Sequence, residues 1–195
     1  MLALASLSCA PSRGSGPQGQ RPTRAPTIPV ELGPDTTALE INRLAVSSPH
    51  ELRSAALARI DDRDPGVRRS ALYALSLTVT KDDPEAIAAL KRFLESDSDV
   101  ERLRSAGGLL SVGEKAAVPV LVDLLASDAE VPNADPPLAV WRVARGLLLT
   151  STDRDLGLRR ADGVEAAGRT RAEWRTWWAT SGDRLEWDAA TRRFR

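Results

Sequence analysis

Few residues in this chain are of a type that could perform chemistry. The sequence has one Cys, Cys9, and one His, His50, too few for a multi-His or Cys-based metal site. No motif places a nucleophile beside His50. The Asp-rich segments at 61–64, 82–83 and 97–99 lack the glycine and glutamate spacing of a calcium loop, and we interpret them as helix N-caps. Glycine-rich phosphate motifs are absent. We therefore predict no catalytic residue, no metal site and no cofactor.

Composition and charge exclude other classes of function. The 195 residues are 42% hydrophobic and 28% charged, which is ordinary globular usage. Residues 31–153 contain 14 basic and 20 acidic residues, a net charge of −6, and this charge opposes a polyanionic partner. We expect no nucleic-acid partner. We expect instead a protein partner, which the sequence does not identify, and a monomeric state.

The N-terminal 35 residues differ in composition from the rest. Residues 1–9 are a short apolar run that ends at Cys9, and residues 10–35 are rich in Pro, Gly and Ser, which predicts a disordered linker. This order resembles a bacterial lipoprotein signal, truncated at its start. The resemblance implies a lipid on Cys9 as the only membrane attachment, and a location at the cell envelope, either membrane-anchored or periplasmic and secreted. Ser6 and the missing basic start depart from that pattern; a true start codon upstream would explain both. The alternative is an ordinary disordered N-terminus in a cytoplasmic protein.

A repeated motif organises residues 36–150. Copies that begin at Val67, Leu103 and Val140 contain an apolar residue, an Arg shortly after it and a small residue four places on, and a further copy begins at Leu52. The spacing of about 36 residues is typical of helical repeats. Apolar stripes at 87–94 and 118–125 predict second helices between the motif helices.

Helix-capping residues and small residues support this helical pattern. Asp64 and Asp83, each followed by Pro, are predicted N-caps, and Gly113 is a predicted C-terminal residue of left-handed conformation. Gly107, Gly108 and Gly146 are costly inside helices. We predict that they lie where neighbouring helices approach closely.

The string DPGVRRSAL at 64–72, followed by DPEAIAAL at 83–90, resembles HEAT repeats of the bacterial PBS-lyase-like type. The resemblance covers residues 36–150 and implies an all-α fold, a short right-handed α-solenoid of helix pairs. It implies a protein-interaction scaffold, or alternatively an enzyme or accessory related to bilin lyases. It also implies a structural role for the motif arginines Arg53, Arg68 and Arg104, paired with acids such as Asp64 or Asp99. A phosphate-binding row of these arginines is the functional alternative.

The C-terminal segment is rich in tryptophan. We predict an irregular connection over 151–169 and a helix that begins at Thr170, because Thr170 and Glu173 have capping-box spacing. Trp174, Trp177 and Trp178 then share one helix face, and Trp187 lies in a predicted terminal hairpin. We interpret residues 170–195 as a cap over the last repeat. The alternative is an aromatic platform for a small ligand such as a sugar, a peptide or a quaternary amine.

Overall fold

The computed structural model describes residues 30–132, 137–152, 154 and 163–195. These residues are mostly helical, which confirms the all-α prediction. The helices in this part of the chain are α1 (Ala38–Ser47), α2 (Pro49–Arg59), α3 (Pro65–Thr78), α4 (Pro84–Phe93), α5 (Asp99–Ser111), α6 (Ala117–Leu124), α7 (Val140–Thr152) and α8 (Gly163–Ser181). None of these helices is long and apolar enough to cross a membrane.

Local signals place the helix ends as the sequence predicts. The Asp64 carboxylate accepts hydrogen bonds from the backbone N–H of Gly66 at 2.7 Å and of Val67 at 3.4 Å, and Asp83 accepts one from Ala86 at 3.0 Å. Both caps satisfy N–H groups that the first helical turn leaves unpaired. Gly113 follows α5 with a φ of +85°, the left-handed conformation that lacks a steric cost only for glycine. These three predictions are confirmed.

The helices pack as consecutive pairs. The first helices of the pairs, α1, α3, α5 and α7, contact one another in chain order. Each second helix, α2, α4 and α6, packs against the first helix of the next pair, and α8 packs on α6. The apolar faces join in one core cluster, whose fully buried members include Leu52, Leu75, Leu90, Leu121 and Leu148.

The motif copy at Leu52 has a different place from the other copies. Those at Val67 and Leu103 lie on α3 and α5, and the copy at Val140 begins α7, so all three mark the first helix of a pair. Leu52 lies on α2, the second helix of the first pair. Its short distance in sequence from the next copy therefore reflects its position on the other layer of helices.

The interhelical glycines behave differently from one another. A Cβ on Gly108 would lie 2.9 Å from Ser76 Cα and 3.0 Å from Leu90 Cδ1. Helix α5 therefore lies so close to α3 at this point that only glycine fits without a shift. A Cβ on Gly107 would make an ordinary contact of 3.5 Å with Leu147. A Cβ on Gly146 would have no described neighbour within 4 Å, because this position of α7 is exposed. The predicted close approach is confirmed at Gly108 and is wrong at Gly146.

The predicted linker ends earlier than residue 35. Leu32 is 4% exposed and belongs to the core cluster, and Pro34 lies against Gly66 of α3. The prolines around Leu32 give this segment the composition of a linker, whereas its apolar side chains join the core. The disorder predicted for 30–35 is therefore wrong, and residues 10–29 and Cys9 lie outside the described residues.

The segment before α7 contains strands that the sequence does not predict. Strand β1 (Glu130–Val131) pairs antiparallel with β2 (Leu138–Ala139). The backbone N–H of Val140 also donates to the carbonyl of Ala129 at 2.8 Å. Val131 is buried, and this contact attaches the connection to the helical body.

The C-terminal elements differ partly from expectation. Helix α8 begins at Gly163 and α7 continues to Thr152, so the irregular connection predicted for 151–169 is wrong at both its ends; residues 153 and 155–162 lie outside the described residues. Thr170 is buried inside α8, and the capping-box interpretation is therefore also wrong. The predicted terminal hairpin is confirmed: β3 (Trp187–Asp188) pairs antiparallel with β4 (Arg193–Phe194).

Candidate functional site

The Arg53 side chain of α2 links the end of α3 to the start of α4. Its Nε lies 3.1 Å from the Asp83 carboxylate, and its Nη1 donates to the Thr78 carbonyl at 2.8 Å. Thr78 ends α3 and Asp83 caps α4. The side chains of Arg53 and Asp83 are only 20% and 19% exposed, so solvent screens this pair weakly. Arg53 has a structural role, with Asp83 as its acid in place of the predicted Asp64 or Asp99.

Arg68 binds backbone rather than a carboxylate. Its Nη1 donates to the carbonyls of Asp62 at 3.0 Å and Arg63 at 3.1 Å, in the loop just before its own helix. Asp64 is engaged as the cap of α3. Asp99 accepts hydrogen bonds from Arg102 and Ser127. The two acids named from the sequence therefore have other partners.

Arg104 is the motif arginine with a different environment. Its guanidinium carbon lies 4.0 Å from the centroid of the Tyr73 ring, the geometry of a cation–π contact. The Tyr73 hydroxyl donates to Asn42 at 2.8 Å, which fixes the ring. Burial lowers the pKa of Arg104, while Tyr73 opposes that shift, and the group stays charged at neutral pH. Among the described residues no carboxylate forms an ion pair with Arg104.

Arg104 lines a surface cleft of about 210 Å³ between α1, α3 and α5, which we name the Arg104 cleft. Its charged lining consists of Arg69, Arg104 and Glu101. Glu101 accepts a hydrogen bond from Ser96 at 2.6 Å, so Ser96 rather than Arg104 holds this carboxylate. The apolar part of the lining comes from Pro34, Ala38, Ile41, Leu72, Val100 and Pro132.

Sequence reasoning identifies Arg104 but not the residues around it. Tyr73 and Asn42 are 31 residues apart in the chain, and α1, α3 and α5 reach the cleft only after the pairs have stacked. No local spacing connects these residues. The one available signal is that Tyr73 is the only Tyr of the chain and lies inside a motif helix.

The motif arginines do not form a row. Arg53, Arg68 and Arg104 lie on α2, α3 and α5, and the first two use their donors on protein oxygens. A row of phosphate-binding arginines needs free donors that face one ligand. The geometry leaves Arg104 as the one motif arginine with a guanidinium available to an anion.

The structure brings all four predicted tryptophans into one aromatic cluster with Phe194. Trp174 and Trp177 meet edge to face, with ring centroids 5.5 Å apart, and Trp177 lies 5.8 Å from Trp178. Phe194 joins Trp178 at 5.8 Å to Trp187 at 4.9 Å. Such edge-to-face pairs add stability beyond burial. The aromatic cluster is therefore continuous from α8 to the terminal hairpin.

Two glycines leave the space that two tryptophans of this cluster occupy. A Cβ on Gly113 would lie 2.4 Å from Trp187 Cγ, and one on Gly182 would lie 2.9 Å from Trp178 Cε2. Trp174 is 2% exposed, while Trp177, Trp178 and Trp187 are half-buried. Much of the indole surface is thus used for packing within the chain.

Other reactive groups do not converge. His50 is exposed near the start of α2. In the described ranges, no three His, Cys, Asp or Glu side chains come close enough to hold a metal ion. Exposed apolar residues include Leu39 and Val46, which are 80% and 86% exposed. They are seven residues apart on α1 and so share one side of the helix.

Comparison with known proteins identifies the repeats. Residues 53–134 match the family model for HEAT repeats, the stretch that runs from the motif arginine of α2 to the segment after β1. Searches of curated proteins and of solved structures found no match to this chain.

Proposed function

The chain contains HEAT repeats over residues 53–134, and from this we infer that it is a non-catalytic scaffold for protein–protein interaction. From its N-terminal sequence we propose that it acts at a bacterial cell envelope. HEAT repeats generally mediate protein–protein interaction, through the extended surfaces that stacked repeats create. The observation that carries the proposal is the Arg104 cleft. It combines apolar lining with a cation that forms no ion pair with a described carboxylate, and these are features of a surface that receives a partner's side chain.

The proposal includes a finer description of the fold. The consecutive packing of helix pairs supports a short right-handed α-solenoid of the PBS-lyase-like HEAT type. The last pair of a solenoid has an apolar face that needs cover. Burial of Trp174 and the contact of α8 with α6 support the aromatic cluster as that cover rather than as a ligand platform.

The envelope location is proposed from the N-terminal sequence. The apolar run 1–9 ends at Cys9 and precedes a segment rich in Pro, Gly and Ser. A lipid on Cys9 would anchor the domain to the membrane without a spanning helix. The partner would then be a protein at the same membrane or in the adjoining compartment.

Site-specific photo-crosslinking tests the interaction function. A benzoyl-phenylalanine at Leu39, beside the cleft-lining Ala38 of α1, is irradiated in cells of the native host. The matched control carries the probe at Ala88, an exposed position on α4. We expect one discrete adduct from Leu39 and none from Ala88. An absence of adducts from Leu39, and from a second probe at Val46, contradicts the scaffold function.

The proposed anchor has an independent test. Mass spectrometry of the mature N-terminus should find a chain that begins at a lipid-modified Cys9. Cys9→Ser should move the protein from the membrane fraction to the soluble fraction, because the lipid is the only proposed attachment. An unmodified Met1 in the soluble fraction contradicts the anchor and leaves the interaction function intact.

A further inference from the structure

We propose that the Arg104 cleft binds a carboxylate supplied by a partner polypeptide, an Asp or Glu side chain that lies next to an apolar residue. The inference rests on the proposed interaction function and specifies the chemistry of the partner. It assigns binding to Arg104, with Tyr73 as the residue that positions its guanidinium.

A half-buried guanidinium that pairs with no acid in the described part of the chain is an unusual arrangement. Removal of a charge from water costs free energy, and such charges in proteins are therefore paired. Arg53 follows this rule through Asp83. Arg104 instead stacks on Tyr73 at 4.0 Å. Stacking uses one face of the guanidinium, and its remaining in-plane N–H donors suit a planar, two-oxygen acceptor.

The charge of the cleft favours a carboxylate over a phosphate. Arg69 and Arg104 contribute two positive charges to the lining, and Glu101 contributes one negative charge. The surplus of one charge matches a singly charged carboxylate. The net charge of −6 over residues 31–153 further opposes a ligand with several negative charges.

The size and lining of the cleft favour a side chain of a polypeptide. Pockets for small molecules usually enclose roughly 300–1,000 Å³, more than the 210 Å³ of the Arg104 cleft. That smaller space suits one anchoring side chain, as in interface hot spots. Ala38, Ile41 and Leu72 provide an apolar wall next to the cation, which fits an apolar neighbour of the acid.

The chain itself does not supply this acid from its termini. Residues 1–29 contain neither Asp nor Glu. The C-terminal residue, Arg195, exchanges both backbone hydrogen bonds with Glu186 in the terminal hairpin. We therefore assign the carboxylate to another molecule rather than to either terminus.

Nuclear magnetic resonance titration of the full chain tests the assignment. The probes are two isosteric peptides, acetyl-Leu-Glu-amide and acetyl-Leu-Gln-amide, which differ only in the charge of one side chain. We expect saturable shifts of the Arg104 side-chain N–H and the Tyr73 ring with the Glu peptide, at millimolar affinity as befits one anchor. The Gln peptide should bind at least about tenfold more weakly. Equal shifts with both peptides, or none with either, overturn the proposal.

Two charge-matched variants locate the effect. Arg104→Gln should reduce the affinity for the Glu peptide by about tenfold or more. Arg92→Gln removes the same charge from an exposed pair with Asp61 at 3.1 Å and should leave the affinity unchanged. A far-ultraviolet circular dichroism spectrum of Arg104→Gln that matches the wild type guards against a fold defect in that variant. Unchanged binding by Arg104→Gln overturns the proposal.

Crosslinking separates this inference from the function on which it rests. If the Leu39 probe captures the same partner in wild type and in Arg104→Gln, the carboxylate site is wrong and the scaffold function stands. If the wild type captures no partner, the scaffold function itself is wrong. Loss of the adduct in Arg104→Gln alone supports both.

Discussion

The three helical glycines of α5 and α7 provide a direct test of how closely the repeats pack. Replacement of Gly by Ala inside a helix gains about 1 kcal/mol from backbone entropy and helix propensity. At Gly146 nothing lies within 4 Å of the new Cβ. We therefore expect Gly146→Ala to stabilise the protein by about this full amount.

At Gly108 the same substitution meets the backbone of α3. The new Cβ would lie 2.9 Å from Ser76 Cα and 3.0 Å from Leu90 Cδ1. Leu90 can rotate away, whereas Ser76 Cα moves only with its helix. Overpacking of this kind costs roughly 1–3 kcal/mol, and the backbone contact places Gly108→Ala in the upper half of that range. After the helix-propensity gain, the net effect is a destabilisation of about 1–2 kcal/mol.

Gly107→Ala is the internal control for position along the helix. Its Cβ would meet Leu147 Cδ1 at 3.5 Å, an ordinary van der Waals contact. We expect a stabilisation close to that of Gly146→Ala, although Gly107 and Gly108 are adjacent. The order of stability is then Gly146→Ala, Gly107→Ala, wild type and Gly108→Ala.

Urea unfolding followed by far-ultraviolet circular dichroism measures this order. The midpoint should shift without a change in the slope m, and the melting temperature should move by about 2–4 °C per kcal/mol for a chain of this length. Coincidence with the tryptophan fluorescence transition checks that unfolding is cooperative. A Gly108→Ala variant as stable as Gly146→Ala would refute the close approach of α5 to α3.

Three further substitutions and one control substitution test individual contacts. Arg53→Ala should destabilise the protein by about 2 kcal/mol, since it removes a half-buried ion pair and a hydrogen bond to Thr78, while Arg92→Ala, whose pair with Asp61 is 60% and 66% exposed, should change urea stability by less than about 0.5 kcal/mol. Equal losses in the two variants would contradict this reasoning. Gly113→Ala combines a φ of +85° with a Cβ 2.4 Å from Trp187; it should destabilise by about 2 kcal/mol or more and shift tryptophan emission to the red, and an unshifted spectrum argues against docking of the hairpin there. Burial raises the pKa of Asp99, but hydrogen bonds from Ser127 and Arg102 outweigh it and lower that pKa below its ordinary 3.8. The charged form thus stabilises the fold above pH 3.8, and this contribution is lost as the pH falls through the lower, folded value. Asp99→Asn should therefore weaken urea stability at neutral pH, with the difference from wild type vanishing in acid; a pH-independent difference would count against this pKa.

Much of the fold could be predicted because its signals are local. The Asp-Pro starts of α3 and α4 and the glycine after α5 act within one helical turn, and each is where the sequence indicates. The predicted start of α8 fails for a related reason. Thr170 and Glu173 have capping-box spacing, but two residues inside a helix can have the same spacing. Here α8 has already begun at Gly163. Spacing alone cannot distinguish the two cases.

The candidate site was predictable only in part. Arg104 is visible as a motif arginine, but so are Arg53 and Arg68, and all three have the same local pattern. What separates them is the atom that each guanidinium meets: a carboxylate of α4, carbonyls of the preceding loop, or the ring of Tyr73. These contacts cross between elements, and no spacing within one helix encodes them.

By itself the sequence determined the helical class, the starts of α3 and α4, the repeat and the grouping of the four tryptophans on α8 and the hairpin. Only the tertiary structure decided that Leu32 is core, that α2 occupies the second layer, and that Arg104 stacks on an aromatic ring whereas Arg53 and Arg68 donate to protein oxygens. The physical reason is the range of the interactions. Helix formation depends on residues within about four positions of one another, whereas Tyr73 meets Asn42 across 31 residues, through the stacking of whole helix pairs.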